Sequence, residues 1–192
     1  LVRVNMATPK TSCLKFTAIE NNSSVGFAYY SEYLPITDLG IALEYSTDGN
    51  TWRPYTIGIG LENVVPITLN QGESVIWRGY NTTLCGEFDD LFFDTVLTRC
   101  VVTGIIAAKG DITSLINGVG GDCVLTEDYC FFKTFLNCDK LITAPNLPST
   151  TLASSCYSSM FSGCTSLTTA PELPATTLAS GCYSYMFSGC TL

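Results

Sequence analysis

The chain has 192 residues, a net charge of −8 and no histidine. With 46% apolar and 14% charged residues, it has the composition of a folded rather than a disordered protein. The acidic balance argues against nucleic acid as a partner, and no apolar run reaches the length of about 18 residues that membrane insertion needs. Histidine is the commonest general base and metal ligand, so its absence favours a non-enzymatic protein with no metal and no cofactor.

Residues 1–13 are predicted to form an N-terminal strand or arm. Residues 1–5 alternate apolar and polar side chains, as in a half-buried strand, and Pro9 separates them from the next run. Two interpretations stay open. The segment is either an edge strand of the chain's own sheet or a strand that adds to the sheet edge of a neighbouring subunit.

Residues 14–118 are predicted to form an antiparallel β-sandwich domain. Short runs that alternate in polarity or are rich in β-branched residues are separated by turn sequences, which is typical of such domains. The runs are residues 14–18, 25–29, 41–45, 64–69, 75–78 and 100–103. A short helix is expected over residues 112–116, followed by a glycine-rich hinge at residues 118–121.

Residues 46–52 predict a tight hairpin turn in which Asp48 and Gly49 take positive φ and Trp52 packs on the strand behind. The segment also resembles the Asp-box of sialidases and related propellers, but it is one residue short and occurs once. This resemblance implies a remote alternative function, a glycan-active enzyme.

Aromatic residues of the predicted sandwich are candidates for a sugar-binding face, because aromatic rings stack on the apolar faces of sugars. Trp52 and Trp77 are the main candidates, with Tyr29, Tyr30 and Tyr55 beside them. The alternative is that these side chains form the core of the sandwich.

Residues 119–192 contain about three units of a 26-residue repeat, and a fixed period of this length predicts a solenoid. Apolar residues recur within a unit at intervals of four, which places them on one face of a helix. In the second unit they are Leu152, Cys156, Met160 and Cys164. Each unit is therefore predicted to be a short strand, a proline-bent turn and one helix, and the whole chain a mixed fold.

The repeat aligns its cysteines into two predicted buried columns. The columns are Cys130, Cys156 and Cys182, and Cys138, Cys164 and Cys190. Eight residues along a helix span about 12 Å, and neighbouring helices pack about 8–10 Å apart, so neither separation suits a disulfide. We expect buried free thiols. Cys13, Cys85, Cys100 and Cys123 fall outside the pattern, and their pairing stays open.

The outward positions of the predicted helices are rich in Ser and Tyr. Tyr157, Tyr183 and Tyr185 are the candidate binding residues there. A neutral hydroxyl surface with aromatic planes suits glycans or adaptable protein contacts. A soluble solenoid without a ligand would show the same surface, so both interpretations stay open.

Residues 141–153 and 167–179, with the Cys-Tyr-Ser-x-Met-Phe-Ser-Gly-Cys-Thr sequence beside each, resemble the BspA-like leucine-rich-repeat proteins. These are surface proteins of gut and oral anaerobic bacteria, and similar arrays occur in their phages. The resemblance covers about residues 123–192, although the commoner unit of the family has 23 residues. It implies a leucine-rich-repeat-like α/β solenoid, an adhesive function and no catalytic residues. More loosely, residues 14–118 look like the sandwich domain that often precedes such arrays.

Four residues are candidates for glycosylation. Asn21, Asn22 and Asn81 lie in Asn-x-Ser/Thr sequences, and Thr95 lies in an Asp-Thr-Val sequence that resembles the O-glycosylation motif of the same bacterial group.

These observations together predict an extracellular or cell-surface adhesin, or a subunit of a fibre or filament. The last coil of a solenoid needs a cap or a neighbour, so we expect self-association into a fibre or contact with further repeats. Glycans and surface proteins are the other expected partners. The alternative is a virion protein, a head or tail fibre of a phage.

Overall fold

The computed structural model describes residues 12–86, 89, 91 and 94–191. In this part of the chain the structure is mostly β, with ten strands in two mixed sheets. The predicted arm strand at residues 1–5 lies outside the described residues. Among the described residues, helix is confined to a 3₁₀ turn at Leu61–Asn63 and one α-helical turn, α1, at Ser114–Asn117. The β-rich character of the fold is therefore confirmed.

The first sheet has six strands in the order β10-β9-β1-β7-β3-β4. They are β1 (Leu14–Ala18), β3 (Leu43–Ser46), β4 (Arg53–Tyr55), β7 (Ser74–Gly79), β9 (Ile106–Lys109) and β10 (Leu141–Thr143). All neighbours are antiparallel except β10 and β9, which pair in parallel.

The second sheet is built on the long strand β2 (Ser23–Tyr30). One edge of β2 pairs with β8 (Leu97–Thr103) over seven residues. The other edge is shared by β5 (Gly58–Ile59) in parallel and β6 (Ile67–Leu69) antiparallel. All but the last residue of β2 are buried, so burial along this strand is continuous and does not alternate between its two faces.

The two sheets meet at Trp77, whose side chain is fully buried. Its ring lies 4.9 Å from that of Phe27 in the other sheet and 4.8 Å from that of Tyr55 in its own, both edge-on. The Tyr55 hydroxyl accepts the Phe27 amide at 2.9 Å and donates to the Val65 carbonyl at 2.8 Å. Aromatic packing and this buried hydroxyl together fix how the sheets face each other.

All six predicted strand runs overlap observed strands, and the helix expected at residues 112–116 is present as α1. Three strands were not predicted. β4 contains Pro54 and lies at the sheet edge, where a missing N–H is tolerated. β5 has only two residues, and β9 (Ile106–Lys109) holds two alanines, which are weak strand formers.

The helix predicted for each repeat unit is wrong. Residues 129–138, 155–164 and 181–190, here called the first, second and third turn segments, are successive turns without α-helix. Every fourth residue has positive φ, between 52° and 74° in all three segments, which breaks a right-handed helix. The residues concerned are Tyr129, Lys133, Asn137, Ser155, Ser159, Gly163, Gly181, Tyr185 and Gly189.

The interval of four is therefore the period of a turn rather than of a helix. In the second turn segment each turn directs two side chains inward, Cys156 with Tyr157 and Met160 with Phe161, all of them fully buried. Amides inside the segment bond to the carbonyl three residues back, as Ser158 does to Ser155 at 3.0 Å. The predicted α/β character of the repeat region is thus corrected to β and turn.

The three turn segments stack in register. The rings of Phe131, Tyr157 and Tyr183 form one column, with centroids 5.7 and 5.9 Å apart. Those of Phe135, Phe161 and Phe187 form another, at 5.3 and 5.8 Å. An aromatic ring recurs every 26 residues at each of these two positions, and the stacking of the rings therefore keeps the segments aligned.

The first turn segment continues both sheets. Its unit supplies β10, which extends the first sheet beyond β9, while the Thr134 carbonyl accepts the Cys100 amide of β8 at 2.7 Å. Phe135 packs edge-on against Phe16 of β1 at 6.2 Å. One hydrophobic core therefore runs from the sheets into the repeats, across the expected boundary at residue 118.

Candidate binding surface

The stack of turn segments has a direction. Five alternate amides of the first segment donate to carbonyls of the second or of Ser154 just before it, all at 2.7–3.1 Å. Five amides of the second segment donate in the same way to the third or to Ser180 just before it, at 2.8–3.0 Å. Every one of these ten bonds joins a residue to the carbonyl 25 positions later. One edge of each segment therefore presents donors, and the opposite edge presents acceptors.

The acceptor edge of the first segment is covered by the chain itself. The Leu84 amide donates to the Cys130 carbonyl at 3.0 Å, and the Cys100 amide donates to Thr134. The Arg99 guanidinium donates through Nε to the Leu136 carbonyl at 2.9 Å. The sheets thus cap one end of the stack and satisfy carbonyls that burial would otherwise leave without partners.

The three tyrosines of the repeats occupy different environments. Tyr157 is fully buried between Phe131 and Tyr183, so its predicted role as a binding residue is wrong. Tyr183 is half-buried at the end of the column. Tyr185 is 76% exposed and stands on a positive-φ position of the outer surface. Of the three candidate tyrosines, only Tyr183 and Tyr185 of the third turn segment therefore have accessible rings.

Trp77 is also excluded as a binding residue, because its side chain lies in the core between the two sheets. Trp52 is half-buried on the outer side, where the Arg78 guanidinium lies 4.0 Å from the ring centroid. Glu44 holds Arg78 through a 2.7 Å ion pair. The exposed Tyr80 ring lies 5.9 Å from the same guanidinium. Trp52, Arg78 and Tyr80 form a small cation–aromatic surface on the first sheet.

The hairpin at residues 46–52 is confirmed by the antiparallel pairing of β3 and β4. Gly49 takes φ 71°, whereas Asp48 does not take positive φ. The Asp48 carboxylate accepts the amides of Thr51 and Asn50 at 2.7 Å and the Ser46 hydroxyl at 3.0 Å. These hydrogen bonds lower the pKa of Asp48, and the largest contribution comes from the backbone amide of Thr51. The carboxylate thus shapes the turn.

Three of the four candidate glycosylation residues make side-chain hydrogen bonds, since Asn21 Oδ1 accepts the Gln71 amide at 3.0 Å. The Asn81 side-chain nitrogen donates to the carbonyls of Ala42 at 3.0 Å and Leu115 at 2.8 Å, bonds that an attached sugar would disrupt. Thr95 is fully buried, and its hydroxyl donates to the Gly86 carbonyl at 2.9 Å. Burial of Thr95 therefore argues against its modification in the folded chain, whereas glycosylation of the half-buried Asn81 stays a prediction. Asn21 and Asn22 are exposed.

The ten cysteines are unpaired in the structure. Cys130, Cys156 and Cys164 are fully buried, and Cys138 and Cys182 are nearly so, whereas Cys190 is half-buried. Burial raises the pKa of Cys156 to about 12, with a further contribution from the neighbouring Cys182. The buried thiols pack in the core as small, apolar-like groups.

The turn segments lie closer together along a cysteine column than the predicted helices would. The stacked rings show that neighbouring segments are 5.3–5.9 Å apart. This is much closer than the 8–10 Å of packed helices, so spacing along a column does not itself exclude a bridge. Outside the columns, Cys13 and Cys123 instead contact oxygens, the Gly118 carbonyl at 3.7 Å and the Ser149 hydroxyl at 3.8 Å.

Thiol alkylation should follow burial. We expect Cys123 and Cys190 to react first with iodoacetamide at pH 8, and Cys85, whose pKa burial raises to about 12, at least about 100-fold more slowly, because the thiolate is the reactive form. Peptide mass spectrometry of a labelling time course measures the order. Rapid labelling of Cys130 or Cys156 in the native protein would contradict the buried columns, and full labelling in guanidinium is the control.

Comparisons with protein-family models, with curated proteins and with solved structures found no match to this chain. Within the described residues, no helix has the length and hydropathy needed to span a membrane. The same residues hold no cluster of three or more Cys, Asp or Glu side chains arranged to bind a metal.

Proposed function

We propose that this chain is a non-enzymatic adhesin or fibre subunit of a cell surface. Its two sheets would form a β-sandwich that caps a short leucine-rich-repeat-like solenoid, here built from turns instead of helices. The repeats would bind glycans or surface proteins, and the open end of the repeat stack would contact a further coil of the same kind. The resemblance of residues 123–192 to BspA-like proteins favours the same function.

The observation that carries this proposal is the in-register stack of turn segments. A stack places equivalent outward positions above one another, so a ligand with a repeating structure meets outward side chains at a regular spacing. Ser159 and Tyr185 occupy equivalent outward positions 26 residues apart, both with φ 52°. Outward hydroxyl and aromatic groups supply hydrogen bonds and flat contact area at low entropic cost.

A virion fibre of a phage is the second candidate, and the unpaired cysteines favour it. All ten are free, with most of them buried in one continuous core. Reduced thiols suit assembly in a reducing cytoplasm, whereas secreted proteins of this size usually oxidise them. Immunogold labelling of cells and of purified phage particles with an antibody to this chain distinguishes the two locations.

A glycan array and immobilised matrix proteins test the binding function. We expect retention of the purified chain on at least one glycan or protein. Trp52→Ala or Tyr185→Ala should weaken retention by about tenfold, as loss of an aromatic contact of roughly 1.4 kcal/mol does. Tyr33→Ala is the matched control, because Tyr33 is 69% exposed and lies outside both surfaces. No retention together with a monodisperse monomer at all concentrations would contradict the proposal.

A further inference from the structure

The donor edge of the third turn segment has no partner among the described residues. The equivalent amides of the first and second segments each donate to the next segment or to the residue just before it, at 2.7–3.1 Å. In the third segment the corresponding five amides have no acceptor within the described part of the chain. They belong to Gly181, Tyr183, Tyr185, Phe187 and Gly189.

Apolar side chains beside these amides are exposed where their counterparts are buried. Leu178 is 62% exposed, whereas Leu152, which occupies the same place one unit earlier, is 8% exposed. Leu173 is 40% exposed and its counterpart Leu147 is 2% exposed. The rings of Tyr183 and Phe187 are each stacked on one side, by Tyr157 and Phe161 respectively. These four side chains and the five amides are here called the terminal face.

The chemistry of the terminal face restricts what it can bind. A row of donors needs a row of acceptors, at every second residue along the partner. The edge of a β-strand alternates donors with acceptors, so it would leave half of its own donors unmatched. The terminal face of a second copy presents donors only, and buried donors without acceptors cost about 1–3 kcal/mol each.

Head-to-tail stacking of two copies is also blocked. The acceptor edge of the first turn segment, which would have to meet the terminal face, is already bound by the amides of Leu84 and Cys100 and by Arg99. A partner must therefore bring an acceptor edge that its own chain does not cover.

We propose that the terminal face is a docking surface for one further coil of the same 26-residue repeat. Such a coil reproduces an interface that this chain already forms twice, between its first and second and its second and third turn segments. It supplies five carbonyls, buries Leu173 and Leu178, and continues both aromatic columns. The inference rests on the proposed function, in that it names the partner class through which assembly would proceed.

Amide hydrogen exchange measured by NMR tests the proposal. The probe is a synthetic peptide with the sequence of residues 167–192, and a scrambled peptide is its control. A chain extended by a second copy of the same residues after Leu192 raises the local concentration if the free peptide binds weakly. We expect exchange of the five terminal-face amides to slow at least about tenfold with the peptide or the extension, toward the rates of the equivalent second-segment amides.

Two variants separate docking from general effects. Leu178→Lys should fold normally, because Leu178 is 62% exposed, and should abolish the added protection by placing a charge in the contact. Val124→Lys, at a residue 63% exposed and outside the terminal face, should leave it unchanged. Protection in neither the peptide nor the extended chain overturns the proposal. The proposal is also overturned if amide protection rises with protein concentration in the absence of the peptide, or if only an added glycan produces it.

Retention on glycans or matrix proteins tests the proposed function separately. If the terminal face accepts no coil but the chain is retained on the array, the proposed function stands without this partner. If the coil binds and the array is empty, assembly stands without adhesion.

Discussion

Replacing Phe161 by alanine is expected to lower the free energy of unfolding by about 3–5 kcal/mol. Phe161 is fully buried, and its ring is stacked between Phe135 at 5.3 Å and Phe187 at 5.8 Å. Its loss removes a large apolar surface and opens a cavity in the middle of a column, where the flanking hydrogen-bonded segments prevent collapse. Urea unfolding followed by circular dichroism measures the effect.

Phe187→Ala is the matched control for this column. Phe187 makes the same stacked contact with Phe161, but it is half-buried and has no described ring beyond it. Its truncation should cost roughly 1–2 kcal/mol, because less surface is buried and solvent fills the space. Equal losses in the two variants would contradict the picture of a stack whose interior is closed and whose last segment is open.

Sequence patterns located the longer strands of both sheets, including β2, which is buried on both faces. In β7 the buried Val75 and Trp77 alternate with the half-buried Ile76 and Arg78, because residues two apart lie on the same face of a strand. The strand assignment places Trp77 on the same inward side as Val75. This feature of the sequence argues against Trp77 as a binding residue. Trp52 follows a turn outside this pattern, and its position beside Arg78 depends on pairing between strands that are distant in sequence.

The repeat was found from its period, but its local structure was misread. Residues four apart share a face in a helix and also in a series of four-residue turns, so spacing alone does not separate the two. Two features favoured turns. Gly163 and Gly189 fall at the same place in successive units and take φ 74°, and Ser, Tyr and Cys are weak helix formers. Each four-residue group also carries two adjacent inward residues, as with Cys156 and Tyr157.

The way the first turn segment extends both sheets could not be read from the sequence. It depends on contacts between β8 and Thr134 and between β9 and β10, which join residues more than 30 positions apart. No local pattern marks these edges as open. The direction of the stack, and with it the donor character of the terminal face, follows from the same long-range pairing.

Asp94→Ala is expected to destabilise the protein by about 2–4 kcal/mol, because three donors to one buried carboxylate oxygen lose their acceptor. Asp94 is 2% exposed, and its Oδ2 accepts the Ser31 hydroxyl at 2.6 Å and the amides of Glu32 and Tyr33 at 2.9 Å. The carboxylate thereby anchors the loop that follows β2 to the segment that precedes β8. Guanidinium unfolding at pH 7 measures the loss.

The pH dependence of this loss tests whether the charge of Asp94 is responsible. Desolvation acts to raise the pKa of Asp94, but the hydrogen bonds from Ser31 and the backbone amides outweigh it and lower the pKa below its usual range. A lowered folded-state pKa gives stabilisation that is complete above the unfolded value of about 4 and is lost as pH falls below it. The stability difference between wild type and Asp94→Asn should therefore be largest near neutral pH and shrink below about pH 4.

Asp139→Asn is the control for general acid effects. Asp139 is exposed and pairs with Lys140 at 3.5 Å, an interaction worth at most about 1 kcal/mol. This variant should keep the wild-type dependence on pH. If Asp94→Asn also keeps it, the carboxylate of Asp94 acts only as a neutral acceptor, and the loop after β2 is held by packing rather than by charge.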